Sequence, residues 1–133
     1  MRIGELAAAT GVPAKTIRYY ESIHVLEPPA RTPSGYRDYT SDAAERLAFI
    51  RAAQAVGLTL GEIRGIFALR DRGQTPCGHV LELIHTRAAD LDRRIADLQR
   101  LRSELGRLAD RARHLDPADC DARGVCHLID AGN

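Results

Sequence analysis

The sequence has no tryptophan, four tyrosines and two phenylalanines, so aromatic residues make up only 5% of its 133 residues. A buried core must therefore be built mainly from Leu, Ile, Val and Ala. No apolar run approaches the roughly 20 residues that a membrane-spanning helix needs. The formal net charge of +1 gives no overall basic character, so binding to nucleic acid would have to rest on the local placement of Arg and Lys.

Cysteine is scarce and is confined to three late positions, Cys77, Cys120 and Cys126. The start of the chain, MRIGELAAATG, lacks the charged-then-apolar layout of a signal peptide, so we expect a cytoplasmic protein with no membrane contact. Reducing conditions there disfavour a structural disulfide, and an odd number of thiols would leave one unpaired. Turn-forming and polar neighbours make burial in a core a poor fit for Cys77 and Cys120.

The front of the chain is predicted to form short helices interrupted by turns. One helical face carries the apolar residues Ile3, Leu6 and Ala7. Thr10-Gly11 ends that helix, and Pro13 suits the first position of a second helix, AKTIRYYESI. Two short helices joined by a tight glycine-containing turn form a helix-turn-helix pattern, although any small helical bundle can show the same pattern.

The stretch EPPARTPSGYRDYT is predicted to be a short hairpin, because its prolines forbid a helix and Ser34-Gly35 is typical of a tight turn. Arg31 and Arg37, one on each arm, would suit a wing that contacts phosphates. The alternative is a solvated hairpin whose tyrosines pack on the neighbouring helices.

Two longer helices are predicted after the hairpin. Thr40 or Ser41 caps the first, which ends at Gly57. Thr59 caps the second, whose apolar residues are Ile63, Ile66, Phe67 and Leu69.

After Pro76 the apolar residues follow a heptad spacing, which predicts one helix of roughly 35 residues, about 50 Å long. Its apolar stripe comprises Leu81, Ile84, Ala88, Leu91, Ile95, Leu98, Leu101, Leu105, Leu108, Ala112 and Leu115, with a small phase slip between Leu98 and Leu101. Pro117 is predicted to end the helix. No globular partner remains in the chain, so we predict that the stripe packs against a second copy in a homodimer. The alternative is a helix folded back on residues 1–73.

The cysteines predict a metal site. Thiols with nearby imidazoles suit zinc, cadmium, lead, mercury or copper(I), and not magnesium or calcium. Cys120 and Cys126 can hold one ion from a single loop, whereas Cys77 lies 43 residues earlier, at the other end of the long helix. In an antiparallel dimer, Cys77 of one protomer could meet Cys120 and Cys126 of its partner. Three thiolates suit mercury or lead, and a fourth ligand for a zinc-like tetrahedron could be His79, His114 or His127.

The chain resembles the MerR-type transcriptional regulators over nearly its whole length. The resemblance rests on the motif IGELA…TGV…TIRYYE…L…R…GYR.Y, on a cysteine that opens a long helix, and on the tail VCHLI. It implies a mainly α fold in three parts. These are a winged helix-turn-helix DNA-binding domain at 1–75, a long antiparallel coiled-coil dimerisation helix at 76–115, and a C-terminal metal-binding loop and tail at 116–133.

The same resemblance implies a function. Members of the family bind double-stranded promoter DNA as dimers, and with inducer they distort it so that RNA polymerase can use the promoter. The implied DNA contacts are Lys15, Thr16, Arg18, Tyr19, Tyr20, Arg31, Gly35, Tyr36 and Arg37. The implied metal ligands are Cys77, Cys120 and Cys126, with His79 and His127 as further candidates. A cysteine at position 77, where sensors of monovalent ions usually have serine, favours a divalent thiophilic inducer such as zinc, cadmium, lead or mercury.

The sequence departs from the family pattern at two places. His24 occupies a turn where the family commonly has glycine, so a left-handed backbone there would be mildly strained. The gap from Cys77 to Cys120 is also longer than in better-known metal sensors.

Two other functions stay open at this point: a MerR-type sensor of thiol oxidation or electrophiles, and a metal-buffering or carrier protein. An enzyme is not expected, since the sequence has no Ser/His/Asp arrangement, phosphate loop or paired carboxylates with catalytic spacing.

Overall fold

The computed structural model describes residues 1–116, 118, 120 and 124–130. The elements in chain order are α1 (Ile3–Thr10), α2 (Ala14–Ser22), β1 (Ala30–Arg31), β2 (Arg37–Asp38), α3 (Ser41–Ala55), α4 (Leu60–Asp71), α5 (Cys77–Ala112) and α6 (His127–Asp130). The chain divides into two compact units, Met1–His85 and Thr86–Asn133. The predicted fold class is confirmed: the structure is mainly α, with a winged helix-turn-helix and a long helix.

The first unit has an aliphatic core, as its composition requires. Helices α1 to α4 supply all of its large fully buried side chains except Leu26, which follows α2; the others are Leu6, Ile17, Leu47, Ile50 and Ile63. Each fully buried side chain of this size contributes about 1.5–3 kcal/mol. This core holds α2 and the hairpin in place, so the polar groups outside it are presented on a rigid support.

Local signals set the ends of the first helices. Gly11 ends α1 with φ of 73°, and its N–H donates to the carbonyl oxygen of Ala7. The prediction that Pro13 is the first residue of α2 is wrong by one residue. Its ψ of 145° is extended, and its carbonyl instead accepts the N–H groups of Thr16 and Ile17, as the residue preceding a helix does.

The start of α4 confirms the predicted cap. The Thr59 hydroxyl accepts the Glu62 N–H at 3.1 Å, and the Glu62 carboxylate accepts the Thr59 N–H at 2.8 Å. This reciprocal pair is a capping box. At the start of α3 the structure has Thr40 as the capping residue, without a side-chain hydrogen bond.

Strands β1 and β2 form the predicted hairpin. They pair antiparallel, with Ala30 opposite Asp38 and Arg31 opposite Arg37. Gly35 has φ of 87° in the connecting turn, a region that favours glycine. The Arg31 guanidinium donates to the carbonyl oxygen of Gly35 at 2.8 Å, so this arginine also braces the turn.

His24 has a left-handed backbone, with φ of 61°, the conformation that would be strained for a residue with a side chain. It is the one non-glycine residue with positive φ among residues 1–116, 118, 120 and 124–130. The turn joins α2 to the hairpin, and Arg64 braces it by donating to the carbonyl oxygen of Ile23 at 3.3 Å. A side chain at this position carries strain that glycine would avoid.

Helix α5 has 36 residues and is therefore about 54 Å long, which confirms the predicted length. It ends at Ala112, a few residues before the expected boundary, and i→i+3 bonds tighten the chain after it. Pro117, the predicted helix terminator, lies outside the described residues. No helix in the described part of the chain combines the length and apolar character that crossing a bilayer requires.

One side of α5 is apolar and open. Its stripe residues from Leu91 to Leu105 are between 49% and 63% exposed. Ion pairs three residues apart line the helix elsewhere: Asp90–Arg93, Asp97–Arg100, Glu104–Arg107 and Asp110–Arg113. Such pairs stabilise a helix by a few tenths of a kcal/mol each, so the stripe is the feature that needs a partner.

Candidate functional site

Helix α2 has one buried and one exposed face. Ile17, Tyr20 and Glu21 are buried. Lys15, Arg18 and Tyr19 are exposed, and Thr16 is half-buried. The 3.6-residue period separates these two sets, so α2 presents two cations, a hydroxyl and an aromatic ring outwards.

The hairpin presents a second set of predicted DNA contacts. Arg31, Gly35 and Tyr36 are exposed, while Arg37 is half-buried. The Arg2 guanidinium lies 4.2 Å from the centre of the Tyr36 ring, a cation–π contact that ties the hairpin to the residue preceding α1. The two cations of the wing are held by other contacts: Arg31 donates to the carbonyl oxygen of Gly35, and Arg37 lies 3.4 Å from the Glu21 carboxylate.

Tyr20 differs from the other predicted contacts. Its ring is 7% exposed and belongs to the core, and its hydroxyl lies 3.5 Å from the Gln54 side-chain oxygen. Only that hydroxyl edge is available for a polar contact. Tyr20 was predicted to be a DNA contact together with the residues of the wing, but unlike Arg31, Gly35 and Tyr36 it is buried.

The structure adds a buried acid that sequence reasoning missed. Glu21 is 8% exposed, accepts the Tyr39 hydroxyl at 2.5 Å, and lies 3.4 Å from Nε of Arg37. Burial, followed by the hydrogen bond to Glu21, raises the pKa of Tyr39 well above its ordinary value. The network joins the buried face of α2 to strand β2. The sequence did contain a signal for the burial of Glu21, because Glu21 follows the buried Ile17 by four residues and so lies on the same face of α2.

Replacing Tyr39 with phenylalanine tests this network. Removing a hydrogen bond to a charged group should lower the free energy of unfolding by about 1.5–3 kcal/mol at pH 7. The folded pKa of Tyr39 is raised, so its contribution is complete below the unfolded tyrosine pKa of about 10 and is lost as pH rises through the folded pKa. Urea denaturation at rising pH should show the wild type losing stability more steeply than Tyr39→Phe above pH ~10. Equal slopes, or an equal effect of the exposed control Tyr36→Phe, would contradict the network.

The three thiols are free and none is fully buried. Cys77 is the first residue of α5 and is exposed. It lines an open apolar groove with Phe49, Ile66, Phe67 and Pro76. Cys120 is exposed and Cys126 is half-buried. Among the described residues of this single chain, no three Cys, His, Asp or Glu side chains are grouped closely enough to hold a metal ion.

The segment around Cys126 is folded locally, which the sequence did not predict. The Asp130 carboxylate accepts the N–H groups of Val125 at 3.0 Å and Cys126 at 3.2 Å. The carbonyl oxygen of Cys126 accepts the N–H groups of Ile129 and Asp130. A Cβ atom at Gly124 would collide with the Asp130 carboxylate. Short helix α6 thus holds the Cys126 backbone in one conformation.

The two histidines near the thiols, His79 and His127, differ in their exposure and in their hydrogen-bond partners. His79 is exposed on the first turn of α5. His127 opens α6, and both its ring nitrogens are buried without a hydrogen-bond partner in the described part of the chain. Buried polar atoms normally have partners, and an unpaired imidazole beside a thiol is chemically suited to a thiophilic metal. Thiols and an imidazole are donor types that suit zinc, cadmium, lead or mercury, and the described residues of a single chain do not bring three of them together.

Comparisons with known proteins match both the N-terminal helices with the hairpin and most of the long helix α5. The family model described as MerR HTH family regulatory protein matches residues 1–70, and the one described as MerR, DNA binding matches residues 44–108. The mercuric resistance operon regulatory protein of Bacillus cereus is 39% identical over 110 residues, which are 83% of this chain and 83% of that protein.

Two solved structures with bound metal are also similar to this chain. The transcription regulator PbrR691 from Ralstonia metallidurans CH34, in complex with lead(II), is 35% identical with a TM-score of 0.74, over 100% of this chain and 99% of that chain. The dual function transcriptional regulator MerR from Bacillus megaterium MB1, in complex with mercury(II), is 31% identical with a TM-score of 0.64, over 98% of both chains.

Proposed function

The chain belongs to the MerR family of transcriptional regulators, and on that premise we propose that it is a metal-responsive activator. It binds promoter DNA as a homodimer and activates transcription when a thiophilic divalent ion, namely zinc, cadmium, lead or mercury, binds. The family consists of DNA-binding regulators and not of enzymes. The observation that carries the metal response is the set of three free, accessible thiols together with the unpartnered imidazole of His127.

The proposed DNA-binding head uses α2 and the wing. Lys15, Thr16, Arg18 and Tyr19 face the major groove from α2. Arg31, Gly35, Tyr36 and Arg37 contact the phosphate backbone from the wing, and Tyr20 contributes through its hydroxyl edge. The overall charge is close to neutral, so these few cations carry the electrostatic attraction to DNA.

Removing the exposed cation Arg18 should weaken binding to the promoter. We expect Arg18→Ala to cost about 1–3 kcal/mol if the guanidinium reads a base edge, and to lower the salt dependence of binding if it contacts a phosphate. Fluorescence anisotropy with a labelled promoter duplex at several salt concentrations measures both. Arg113→Ala, which removes an exposed cation after α5, is the matched control. Equal losses from the two substitutions would contradict the assignment of α2.

The proposed metal site is shared between two protomers. Cys77 of one protomer and Cys120 and Cys126 of the partner would hold the ion, with His127 or His79 as a fourth donor. The bound ion supplies bonds that join the two chains. The thiols must lose their protons to bind it, so the response weakens as pH falls. Tying the chains together changes the angle between the paired helices and hence between the two DNA-binding heads.

The energies involved are compatible with such a switch. Bending a promoter-sized duplex costs of order 1–6 kcal/mol. A coupling of about 1–3 kcal/mol between two binding sites is typical of allosteric proteins. A metal-dependent change of this size is of the right order to shift promoter DNA between an unproductive and a productive shape for RNA polymerase.

Asp130 is expected to position Cys126 for metal binding. Its carboxylate holds the backbone N–H groups of Val125 and Cys126. We expect Asp130→Ala to lower metal affinity about 10-fold or more, because groups that orient ligands have effects of about 10–100-fold. Competition against a chelator measures the affinity. Glu27→Ala, which removes an exposed acid between α2 and β1, is the control. An unchanged affinity in Asp130→Ala would show that the local fold around Cys126 does not serve the metal.

In vitro transcription tests the whole proposal. Reduced protein, its promoter and RNA polymerase should give a large increase in transcript with one of the four metals and none with magnesium or calcium.

A second candidate function is favoured by the exposure of Cys77 and Cys120, which leaves the thiols open to oxidants and electrophiles. Activation by such reagents after complete removal of metal, with no response to metals, would select that candidate. Metal binding without any specific operator would indicate a buffering or carrier protein.

A further inference from the structure

A small open pocket of about 170 Å³ lies where the residue preceding α1 meets the wing. Three of its six described lining residues are arginines, and none of the six is acidic. Arg31 and Arg37 belong to the proposed DNA contacts, whereas Arg2 has no part in them. The lining residues are Arg2, Ile3, Arg31, Gly35, Tyr36 and Arg37.

The Arg2 guanidinium is held against the wing but is not neutralised there. Its central carbon lies 4.2 Å from the centre of the exposed Tyr36 ring. Arg2 is itself exposed, and its guanidinium forms no ion pair within the described part of the chain. The nearby Glu5 carboxylate accepts the backbone N–H of Arg2 at 3.1 Å instead. A guanidinium that stacks on a ring keeps its N–H donors at the edge of its plane, where an anion can accept them.

The other charges around the pocket leave it positive. Arg31 donates to a main-chain carbonyl of the turn at 2.8 Å, a bond that leaves its full charge in place. Arg37 lies 3.4 Å from the buried Glu21 carboxylate, so that pair is close to neutral. The Asp38 carboxylate pairs with the N-terminal ammonium at 2.8 Å. Arg2 and Arg31 therefore contribute two positive charges that form no ion pair with any residue the structure describes.

We propose that this pocket binds one phosphate of the promoter backbone and that Arg2 is a further DNA-contacting residue, acting together with Arg31. The proposal rests on the proposed function and deepens it. The pocket is smaller than the roughly 300–1,000 Å³ that is typical of small-molecule sites, which favours a phosphate over a larger organic ligand. Guanidinium groups bind phosphate oxygens with pairs of parallel N–H bonds, so two unpaired arginines suit such a group.

The arrangement gives the Tyr36 ring a second role, as the support of Arg2. The cation–π contact holds the guanidinium in place before DNA binds, so less side-chain freedom is lost on binding. The phosphate contact is thus prepared by the hairpin and by the residue that precedes α1.

Salt-dependent fluorescence anisotropy on the full chain tests the role of Arg2. We expect Arg2→Ala to weaken binding to a labelled promoter duplex about 10-fold or more, because both heads of the dimer lose a charge-assisted hydrogen bond. The plot of log affinity against log salt should become shallower by roughly 2, since each neutralised phosphate contributes about 0.9. An unrelated duplex should lose affinity by the same factor, because a phosphate contact carries no sequence information.

Two further variants separate charge from geometry. Arg2→Lys keeps the charge but not the planar fork, so it should keep the salt slope and lose less affinity than Arg2→Ala. Arg72→Ala is the matched control, because Arg72 is exposed directly after α4 in the same compact unit. It should change neither affinity nor slope appreciably. Urea denaturation checks that every variant is folded.

A double-mutant cycle tests the support that Tyr36 gives to Arg2. Tyr36→Leu removes the ring, and it is measured alone and combined with Arg2→Ala. If the ring positions Arg2, the loss of affinity in the double variant is smaller than the product of the two single losses. A loss equal to that product would overturn the positioning role of Tyr36.

The contrary results for Arg2 are distinct. An unchanged affinity and slope in Arg2→Ala, or losses equal to those of Arg72→Ala, would overturn the proposal. A loss confined to the promoter duplex would place Arg2 on a base edge and overturn the phosphate assignment. Inorganic phosphate that displaced the duplex from the wild type but not from Arg2→Ala, at constant ionic strength, would make free phosphate the ligand. Each result leaves the proposed function standing, whereas a wild type that binds no promoter DNA would overturn both.

Discussion

The Cys77→Ser variant should bind promoter DNA normally and fail to activate transcription with any metal. Cys77 supplies one of three proposed thiolates, and it sits at the start of α5, away from the exposed face of α2 in the sequence. Removing groups that merely orient ligands costs about 10–100-fold in metal affinity, so losing a ligand itself should cost at least about 100-fold. Metal competition, promoter anisotropy and in vitro transcription measure the three quantities on one preparation.

Ser103→Ala is the matched control, since it removes an exposed hydroxyl from the middle of α5. It should change none of the three measurements. If Cys77→Ser lost promoter affinity together with metal affinity, sensing and DNA binding would not be separate roles. If it kept full metal affinity, Cys77 would not be a ligand.

The Leu98→Asp variant should be monomeric and should lose most of its promoter affinity. In the proposed homodimer the stripe that carries Leu98 packs against the partner, so each introduced carboxylate would be buried in an apolar interface, where desolvation opposes association. A monomer places one head on the promoter instead of two. Losing the effective concentration that links two heads costs about 10²–10⁴-fold in affinity. Sedimentation and promoter anisotropy measure the two effects.

Ser103→Asp adds the same charge to the side of α5 that does not carry the stripe, and it should leave the dimer intact. The metal affinity of Leu98→Asp is informative as well, because a shared site needs both chains. A monomeric variant that still bound metal tightly would contradict the shared site, even with the dimer prediction confirmed.

Much of the fold follows from short-range signals in the sequence. Gly11, Gly35 and Thr59 act where the sequence predicts because their effects depend on one turn of backbone. The length of α5 was predictable since its heptad spacing is long and regular. Pro13 was misplaced by one residue because φ near −60° suits both the first helical position and the residue before it, and only ψ distinguishes them.

The parts that the sequence did not predict depend on contacts between distant residues or between chains. Glu21 pairs with Tyr39 across 18 positions, and no local pattern specifies that hydrogen bond. Helix α6 has only four residues and depends on the Asp130 carboxylate, which bonds backward to Val125 and Cys126. The burial of Tyr20 and the unpartnered nitrogens of His127 likewise emerge only from packing.

Mixing two inactive variants tests the shared metal site most directly. Cys77→Ser lacks one half of the proposed site, and the double variant Cys120→Ser, Cys126→Ser lacks the other half. A heterodimer of the two contains one complete site, built from Cys77 of the double variant and Cys120 and Cys126 of the single variant. We predict that neither homodimer binds metal tightly and that the heterodimer binds one ion tightly. If the heterodimer also fails to bind metal, the thiols do not act across the dimer and the account is wrong.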